Sequence, residues 1–291
     1  MTLFGVSTQA LFGQLLLGLI NGSFYAVLSL GLAVIFGLLN IINFSHGALY
    51  MIGAFIALLG LEFLGMNYWV ALAVAPLVVG LLGVVIERTM LRHLYKLDHL
   101  YGLLLTFGLA LIAEGVFRYF FGVSGESYSP PEALQGGVDL GFMFMPLYRG
   151  WVVVASLTAC VATWYVIEKT PLGATLRAAT ERPELVQALG INVAVLITAT
   201  YGVGVALAGV LAAPIMQVNP VMGSNLIIVV FAVVVIGGMG SIAGSIVTGL
   251  ALGLIEGLCK LLYAEASAVV IFVIMIIVLL VRPAGLFGKQ A

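Results

Sequence analysis

Residues 225–258 read NLIIVVFAVVVIGGMGSIAGSIVTGLALGLIEGL, and Glu256 is the one ionisable side chain in them. A helix crossing the hydrocarbon core of a bilayer takes ~20 mostly apolar residues. The stretch is too long for one simple crossing, and its first part, Asn225–Ile236, is too short for one. The interruption Gly237-Gly238-Met239-Gly240-Ser241 predicts a turn between two helices. Irregular backbone at membrane depth persists only where protein or water satisfies its polar groups. The turn therefore points to a protein-lined or wet pathway, with Gly237, Gly238, Gly240 and Ser241 as candidate path or gating residues.

The rest of the 291-residue chain is of the same character. It is 63% hydrophobic and 8% charged, against roughly 25% charged in a soluble domain, and its mean hydropathy is +1.24. The further spans are Ala10–Leu39, Ser45–Leu64, Tyr68–Ile86, Tyr101–Phe121, Gly150–Ile167, Ala194–Ala213 and Ser267–Val281. The expected fold is an all-α polytopic integral membrane protein with about 8-9 transmembrane segments, some broken or re-entrant. Ala10–Leu39 is long enough to tilt or break, and Asn21-Gly22-Ser23 is the expected break. The net charge of −1 points to no nucleic-acid partner. Met1–Ala10 holds no Lys or Arg, so the first apolar stretch is expected to be a retained helix rather than a cleaved signal. Cys160 and Cys259 lie in apolar stretches without metal-ligand spacing and read as small buried side chains.

Lys and Arg in short loops favour the cytoplasm. Arg88, Arg92 and Lys96 cluster in Glu87–His99, and Lys169, Arg177 and Arg182 in Glu168–Gly190; Arg282 and Lys289 lie in the tail. Placing these inside leaves Arg118, Arg149 and Lys260 outside, together with the N-terminus, an external loop at 122–149 and the segment Pro214–Ser224. A cytoplasmic tail then requires Asn225–Leu258 to enter and return as a hairpin of short helices; one continuous helix would put the tail outside.

No loop is large enough for a catalytic domain. The chain lacks a GxxxxGK[ST] phosphate loop, a His-Glu-x-x-His zinc motif and a Gly-x-Ser-x-Gly elbow. No catalytic, cofactor-binding or metal-binding residue is expected, and energy for active transport would come from another chain or an ion gradient. The loop 168–190 carries the most information. Thr170-Pro171 reads as an N-cap followed by proline at the first helical position. A short helix Leu172–Ala179 follows, Arg182-Pro183-Glu184 restarts a turn, and Leu185–Leu189 stops at Gly190, a natural residue for a helix C-terminus. This helix-turn-helix is either an interfacial connector or a docking element for a cytoplasmic protein, whose mixed charges suit a protein better than anionic lipid.

Polar residues in apolar segments carry two readings each. Glu114 with Arg118, and Glu256 with Lys260, are spaced for local pairs, although an intramembrane acid also marks a functional site. Ser45 is placed to cap the helix that follows. Asn43, Ser45 and His46 stand where one helix ends and the next begins, and are gating candidates or packed polar groups. Asn21, Ser23 and Asn225 either expose backbone to a translocating zwitterion or hydrogen-bond between helices.

Four stretches resemble one family. Asn43-Phe44-Ser45-His46-Gly47-Ala48-Leu49-Tyr50-Met51-Ile52-Gly53 resembles the signature of branched-chain amino-acid ABC permeases. Gly173-x-x-x-Arg177-Ala178 with Ala188-Leu189-Gly190-Ile191-Asn192 is similar to that family's cytoplasmic loop. Gly237-Gly238-Met239-Gly240-Ser241-Ile242-x-Gly244 and the tail Arg282-Pro283-Ala284-Gly285-Leu286-Phe287-Gly288 resemble two further elements of it. Order and spacing agree from about Leu15 to Gly288, and the short chain is similar to the H-type subunits. The resemblance implies a single transmembrane permease domain over 1–291 in a bacterial inner membrane. Its implied partners are an M-type permease, two cytoplasmic ATPase subunits and a periplasmic substrate-binding protein. The loop 168–190, with Gly173, Arg177, Ala178, Glu184 and Gly190, becomes the ATPase-coupling element. The implied substrates are leucine, isoleucine and valine. Urea, short-chain amides and other amino acids are alternatives that relatives carry, and a stand-alone secondary transporter is the rival class.

Overall fold

Eleven helices alternate with short links among the residues that the computed structural model describes, which are 2–3, 6–39, 42–94, 97–206, 211 and 213–288. Lys96 and Lys289 lie outside them, as do positions 207–210 and 212 of the span expected over Ala194–Ala213. In chain order the helices are α1 (Thr8–Leu39), α2 (Ser45–Leu64), α3 (Tyr68–Thr89), α4 (His99–Phe121), α5 (Leu147–Lys169), α6 (Pro171–Glu181), α7 (Pro183–Ala188), α8 (Val193–Ala206), α9 (Met222–Gly237), α10 (Ile242–Leu262) and α11 (Ser267–Val281). Two small antiparallel hairpins, β1 (Thr2–Leu3) with β2 (Val6–Ser7) and β3 (Gly137–Asp139) with β4 (Phe144–Pro146), and single 3-10 turns at Leu91–His93, Glu132–Leu134 and Ala264–Ala266 accompany them. Among the described residues seven helical segments are long and apolar enough to cross a membrane, and α9 is a shorter apolar helix. This is the all-α, multi-pass architecture that the composition requires. With 16 residues, α9 extends ~24 Å, short of the ~30 Å hydrocarbon core.

The expected break at Asn21-Gly22-Ser23 does not occur: α1 runs unbroken for 32 residues, ~48 Å. The Ser23 hydroxyl turns back onto the Ile20 carbonyl at 2.8 Å, which leaves the helical ladder intact. Gly22 serves packing instead. A Cβ there would lie 2.9 Å from the Leu250 carbonyl oxygen and 3.0 Å from the Leu250 Cα of α10.

By its contacts the chain divides into two compact units. The first comprises Met1–Ser29, Ser129–Cys160 and Val229–Ala291. Its core joins Ala232, Val233 and Ile236 of α9, Leu252 of α10 and Ile271 of α11, with Tyr25 of α1 packed against them. Here α1 crosses α10 on small residues. A Cβ on Gly249 would stand 2.7 Å from the Ala26 Cα, a separation that lets backbones meet in a medium where dispersion, not water exclusion, holds helices together.

The second unit comprises Leu30–Tyr128 and Val161–Ile228. Ile35, Leu49, Val79 and Leu91 form its core, with α2 packed on α3 and α4, and α3 on α8. Rings lock α2 to α4: Phe55 lies 4.7 Å from Phe117 and 4.9 Å from Phe121, between centroids. The α2–α3 hairpin is written locally. Gly65 ends α2 with φ +59, and the Asn67 side chain caps α3 by accepting from the Val70 amide. Cys160 is buried as expected; Cys259 is only half-buried, its thiol 3.8 Å from the Tyr263 carbonyl.

Candidate functional site

The glycine turn is real, and the tail closes on it. In the first unit α9 ends at Gly237 and α10 begins at Ile242, with Gly238 and Gly240 at φ +100 and +88. These are backbone conformations that an L side chain resists. Ser241 caps α10, its Oγ accepting from the Gly244 amide at 3.0 Å. Gly237 and Gly244 face each other so closely that a Cβ on Gly237 would lie 2.7 Å from the Gly244 carbonyl carbon. The chain therefore doubles back as a tight hairpin, the alternative to one continuous helix. The last carbonyls of α9 have no intrahelical partner; the tail supplies two, Leu286 N–H to the Ile236 carbonyl at 2.8 Å and Phe287 N–H to the Gly237 carbonyl at 3.1 Å. Two motifs far apart in sequence are thus one structural element.

In the second unit Asn43, Ser45 and His46 gather at the start of α2, all buried. Ser45 does not cap the helix, contrary to expectation. It is the first helical residue, and its hydroxyl donates to Asn43 Oδ1 at 2.5 Å. The segment before α2 is held instead by Thr106 of α4: the Phe44 amide donates to Thr106 Oγ1 at 3.2 Å, and Thr106 Oγ1 lies 3.2 Å from the Ile42 carbonyl oxygen. Since α4 starts at His99, α2 begins ~10 Å along it, not level with its end. Among the described residues Asn43 Nδ2 has no hydrogen-bond partner. Gly47 sits against Gly223 of α9, where a Cβ would lie 2.6 Å from the Gly223 carbonyl oxygen. Asn225, in the first turn of α9, is exposed. Of the candidates in the first unit, Asn21 is half-buried and Ser23 fully buried.

The loop 168–190 is two helices, α6 and α7, as its punctuation predicts. Thr170 does not cap α6 with its side chain, because its hydroxyl bonds back to the Val166 carbonyl of α5 at 2.5 Å. Pro171 does occupy the first helical turn, and Gly190 ends the pair with φ +81. Gly173 is buried, and a Cβ there would overlap the Ile167 carbonyl. Arg177 reaches the same carbonyl through Nη1 at 2.5 Å and lies 3.7 Å from Glu168. It places a cation on the C-terminal end of α5, where the helix dipole favours one. Ala179, Val186 and Val193 form a small core with Leu196 packed on it, joining α6, α7 and the start of α8. Beyond that core the pair is open: Leu172, Leu185 and Leu189 are 54%, 57% and 79% exposed, with Ala178 and Glu184 also exposed.

The intramembrane acids have more partners than spacing revealed. Glu114 pairs with Arg118 at 2.6 Å and also accepts from the Ser224 hydroxyl of α9. Glu256 pairs with Lys260 at 2.6 Å and accepts from the Tyr25 hydroxyl of α1 at 2.8 Å. Sequence reasoning placed Glu87 in a cytoplasmic loop with Arg88. It lies instead in the last turns of α3, 1% exposed, and accepts from the Thr198 hydroxyl of α8 at 2.5 Å. An adjacent arginine hides such a buried acid, because one position along a helix changes the face by about 100°. The two segments read as external are joined: Glu126 and Val218 exchange backbone bonds at 2.9 and 2.8 Å.

Residues 14–279 match the family described as branched-chain amino acid transport system / permease component. The high-affinity branched-chain amino acid transport system permease protein BraD of Pseudomonas aeruginosa is 31% identical over 95% of both chains. The corresponding LivH of Escherichia coli (strain K12) is 28% identical over 95% of both. A probable branched-chain amino acid transport permease LivH of Methanocaldococcus jannaschii is 28% identical over 93% of this chain and 90% of its own. No solved structure matches.

Proposed function

The chain belongs to the branched-chain amino acid permease family, and from that premise we propose that it is the translocation subunit of an ABC importer for leucine, isoleucine and valine. It acts as one permease domain in the bacterial inner membrane, beside a second, M-type permease. Two ATPase subunits bind α6 and α7 from the cytoplasm, and a periplasmic binding protein delivers substrate on the side of the loop 122–149. The chain contributes no catalytic group, cofactor or metal; ATP hydrolysis belongs to the separate subunits.

The observation that carries the reading, beside the family match over residues 14–279, is the face of α6–α7. Leu172, Leu185 and Leu189 there are more than half exposed, beside a seat made by Arg177 and the Ala179–Val186–Val193 core. A connector lying on lipid needs no such rigid seat, whereas a docking element does.

ATP-dependent uptake of radiolabelled leucine in proteoliposomes holding the co-expressed complex is the test. Uptake that needs ATP and the binding protein, and that isoleucine and valine block while urea does not, is expected. Block by urea, short-chain amides or another amino acid alone would keep the architecture and replace the substrate. Uptake by this chain without ATP would make it a secondary transporter and overturn the assignment.

A further inference from the structure

The start of α2 is a helix end with nothing to answer its charge. Thr106 of α4 holds the residue before it, so its first turn stands ~10 Å along α4, inside the apolar span Leu100–Phe121. No side chain caps it, and Asn43, Ser45 and His46 are 1%, 2% and 1% exposed. The first amides of a helix have no intrahelical acceptor, and its N-terminus carries about half a positive charge. Asn43 adds a further donor at the same place. Its Oδ1 accepts from the Ser45 hydroxyl, which fixes the side-chain amide against the first helical residue. Its Nδ2 has no hydrogen-bond partner among the described residues. A buried donor left so keeps the full cost of its lost hydration.

A second helix end meets the first. α9 begins at Met222, and its Gly223 lies on Gly47, where a Cβ on Gly47 would stand 2.6 Å from the Gly223 carbonyl oxygen and 2.9 Å from Ile227 Cβ. Two helix N-termini brought together repel unless a negative charge stands beside them. Glu114 reaches the start of α9 through the Ser224 hydroxyl, but Arg118 pairs with that carboxylate at 2.6 Å and offsets its charge. The group that completes the arrangement is therefore an anion that accepts from several N–H donors at once, as a carboxylate does. Water would satisfy Asn43 Nδ2 and leave the charge of the helix ends unanswered. Helix N-termini at membrane depth suit a translocated anionic group for the same reason.

We propose that the buried start of α2 is the subsite for the α-carboxylate of the transported amino acid, with Asn43 Nδ2 as its side-chain donor and Gly223 of α9 closing over it in this structure. This rests on the importer reading and places one end of its substrate. Ser224 and Asn225, next to Gly223, are exposed, so the cover is a single helical turn.

The test begins with the wild-type complex, purified without its binding protein, and reads its melting temperature with three probes. Leucine and isocaproate, which is leucine without its amino group, are expected to raise it; leucinol, which lacks the carboxylate, is not. Asn43→Asp then keeps the size and the acceptor for Ser45 but replaces the donor by a second oxygen. An acid at a helix start is favourable, so the unliganded melting temperature is expected to be no lower than wild type. The shift by leucine and isocaproate should vanish. Leucine uptake by the complete complex in proteoliposomes should fall roughly ten- to hundredfold, as for a lost hydrogen bond to a charged group. No shift with either carboxylate in the wild type, a leucinol shift equal to that of leucine, or wild-type uptake in Asn43→Asp would each overturn the proposal. So would uptake and unliganded melting temperature falling together, which would make Asn43 a packing residue. The wild-type arm keeps the test decisive if Asn43→Asp fails to fold. Failure of the importer reading shows separately, as a wild-type complex that takes up no leucine; a shift by isocaproate would still make the start of α2 a carboxylate site.

Discussion

The Leu286 amide donates to the Ile236 carbonyl at 2.8 Å, and so binds the end of the chain to the end of α9. Gly285 makes the approach feasible: it sits at φ +80, and a Cβ would lie 2.5 Å from the Gly238 Cα and 2.6 Å from the Val235 carbonyl oxygen. Gly285→Ala therefore meets both backbone strain and overlap. Gly65, at φ +59, is the matched control, because a Cβ there would meet nothing within 4 Å. Gly65→Ala thus meets the strain alone, about 1–2 kcal/mol. Thermal unfolding of the detergent-purified complex should place Gly285→Ala clearly below Gly65→Ala. Equal melting temperatures would mean that the tail does not bear on the α9–α10 turn.

Gly22 separates two readings of α1. Were Asn21-Gly22-Ser23 a hinge, Gly22→Ala would stiffen the helix and gain about 0.5–1 kcal/mol. The observed helix is already continuous, and the added methyl would meet backbone atoms of Leu250 and Gly249. Gly22→Ala is expected to lose about 1–3 kcal/mol through overpacking, read as a lower melting temperature. A rise instead would restore the hinge.

Tyr25 holds the acid that spacing alone assigned to Lys260. Its hydroxyl bonds Glu256 Oε2 while Lys260 takes Oε1. Tyr25→Phe should cost about 1.5–3 kcal/mol, the range for a hydrogen bond to a charged group. A double-mutant cycle with Glu256→Leu, which removes the acceptor, should return a coupling energy of the same order, because the two residues share one bond. Additive effects in that cycle would reduce the contact to proximity.

Much of the fold was legible because the bilayer leaves few choices. Ser45–Leu64 and Ser267–Val281 end where apolar runs stop, and the helices observed there have the same bounds. The Gly237–Ser241 turn was legible because Gly238 and Gly240 occupy conformations that few other residues accept. Side-chain partners across helices were not legible. Periodicity tells which residues share a face but not which helix that face meets, so Glu87–Thr198, Tyr25–Glu256 and Ser224–Glu114 were invisible. Local rules also misled at Ser45 and Thr170. Position alone makes each hydroxyl a cap that accepts from the following helix's amides, yet neither does so, and both donate locally instead, Ser45 to Asn43 Oδ1 and Thr170 to the Val166 carbonyl. Gly22 reads as a break for a similar reason: in lipid a glycine within a helix is as useful for close packing as for bending.

Arg177, against Leu185 of α7 and Leu189 just beyond it, divides structure from docking within the proposed coupling element. Arg177 is spent locally, on the Ile167 carbonyl and Glu168. Arg177→Ala should therefore loosen the seat of α6 on α5 by about 1–2 kcal/mol and raise protease cleavage within 170–190 even when the chain is purified alone. Leu185 and Leu189, exposed at 57% and 79%, contribute little to that seat. Leu185→Ser/Leu189→Ser should leave the lone chain's protease resistance and melting temperature unchanged while ATPase subunits no longer co-purify. Adding Glu184→Lys, which reverses an exposed charge on the same helix, should deepen the loss at low salt and less so at high salt, where a Debye length of about 3 Å at 1 M screens it. Cleavage that rises in the leucine variant, with ATPase retention intact, would reverse the two roles and make α6–α7 a connector.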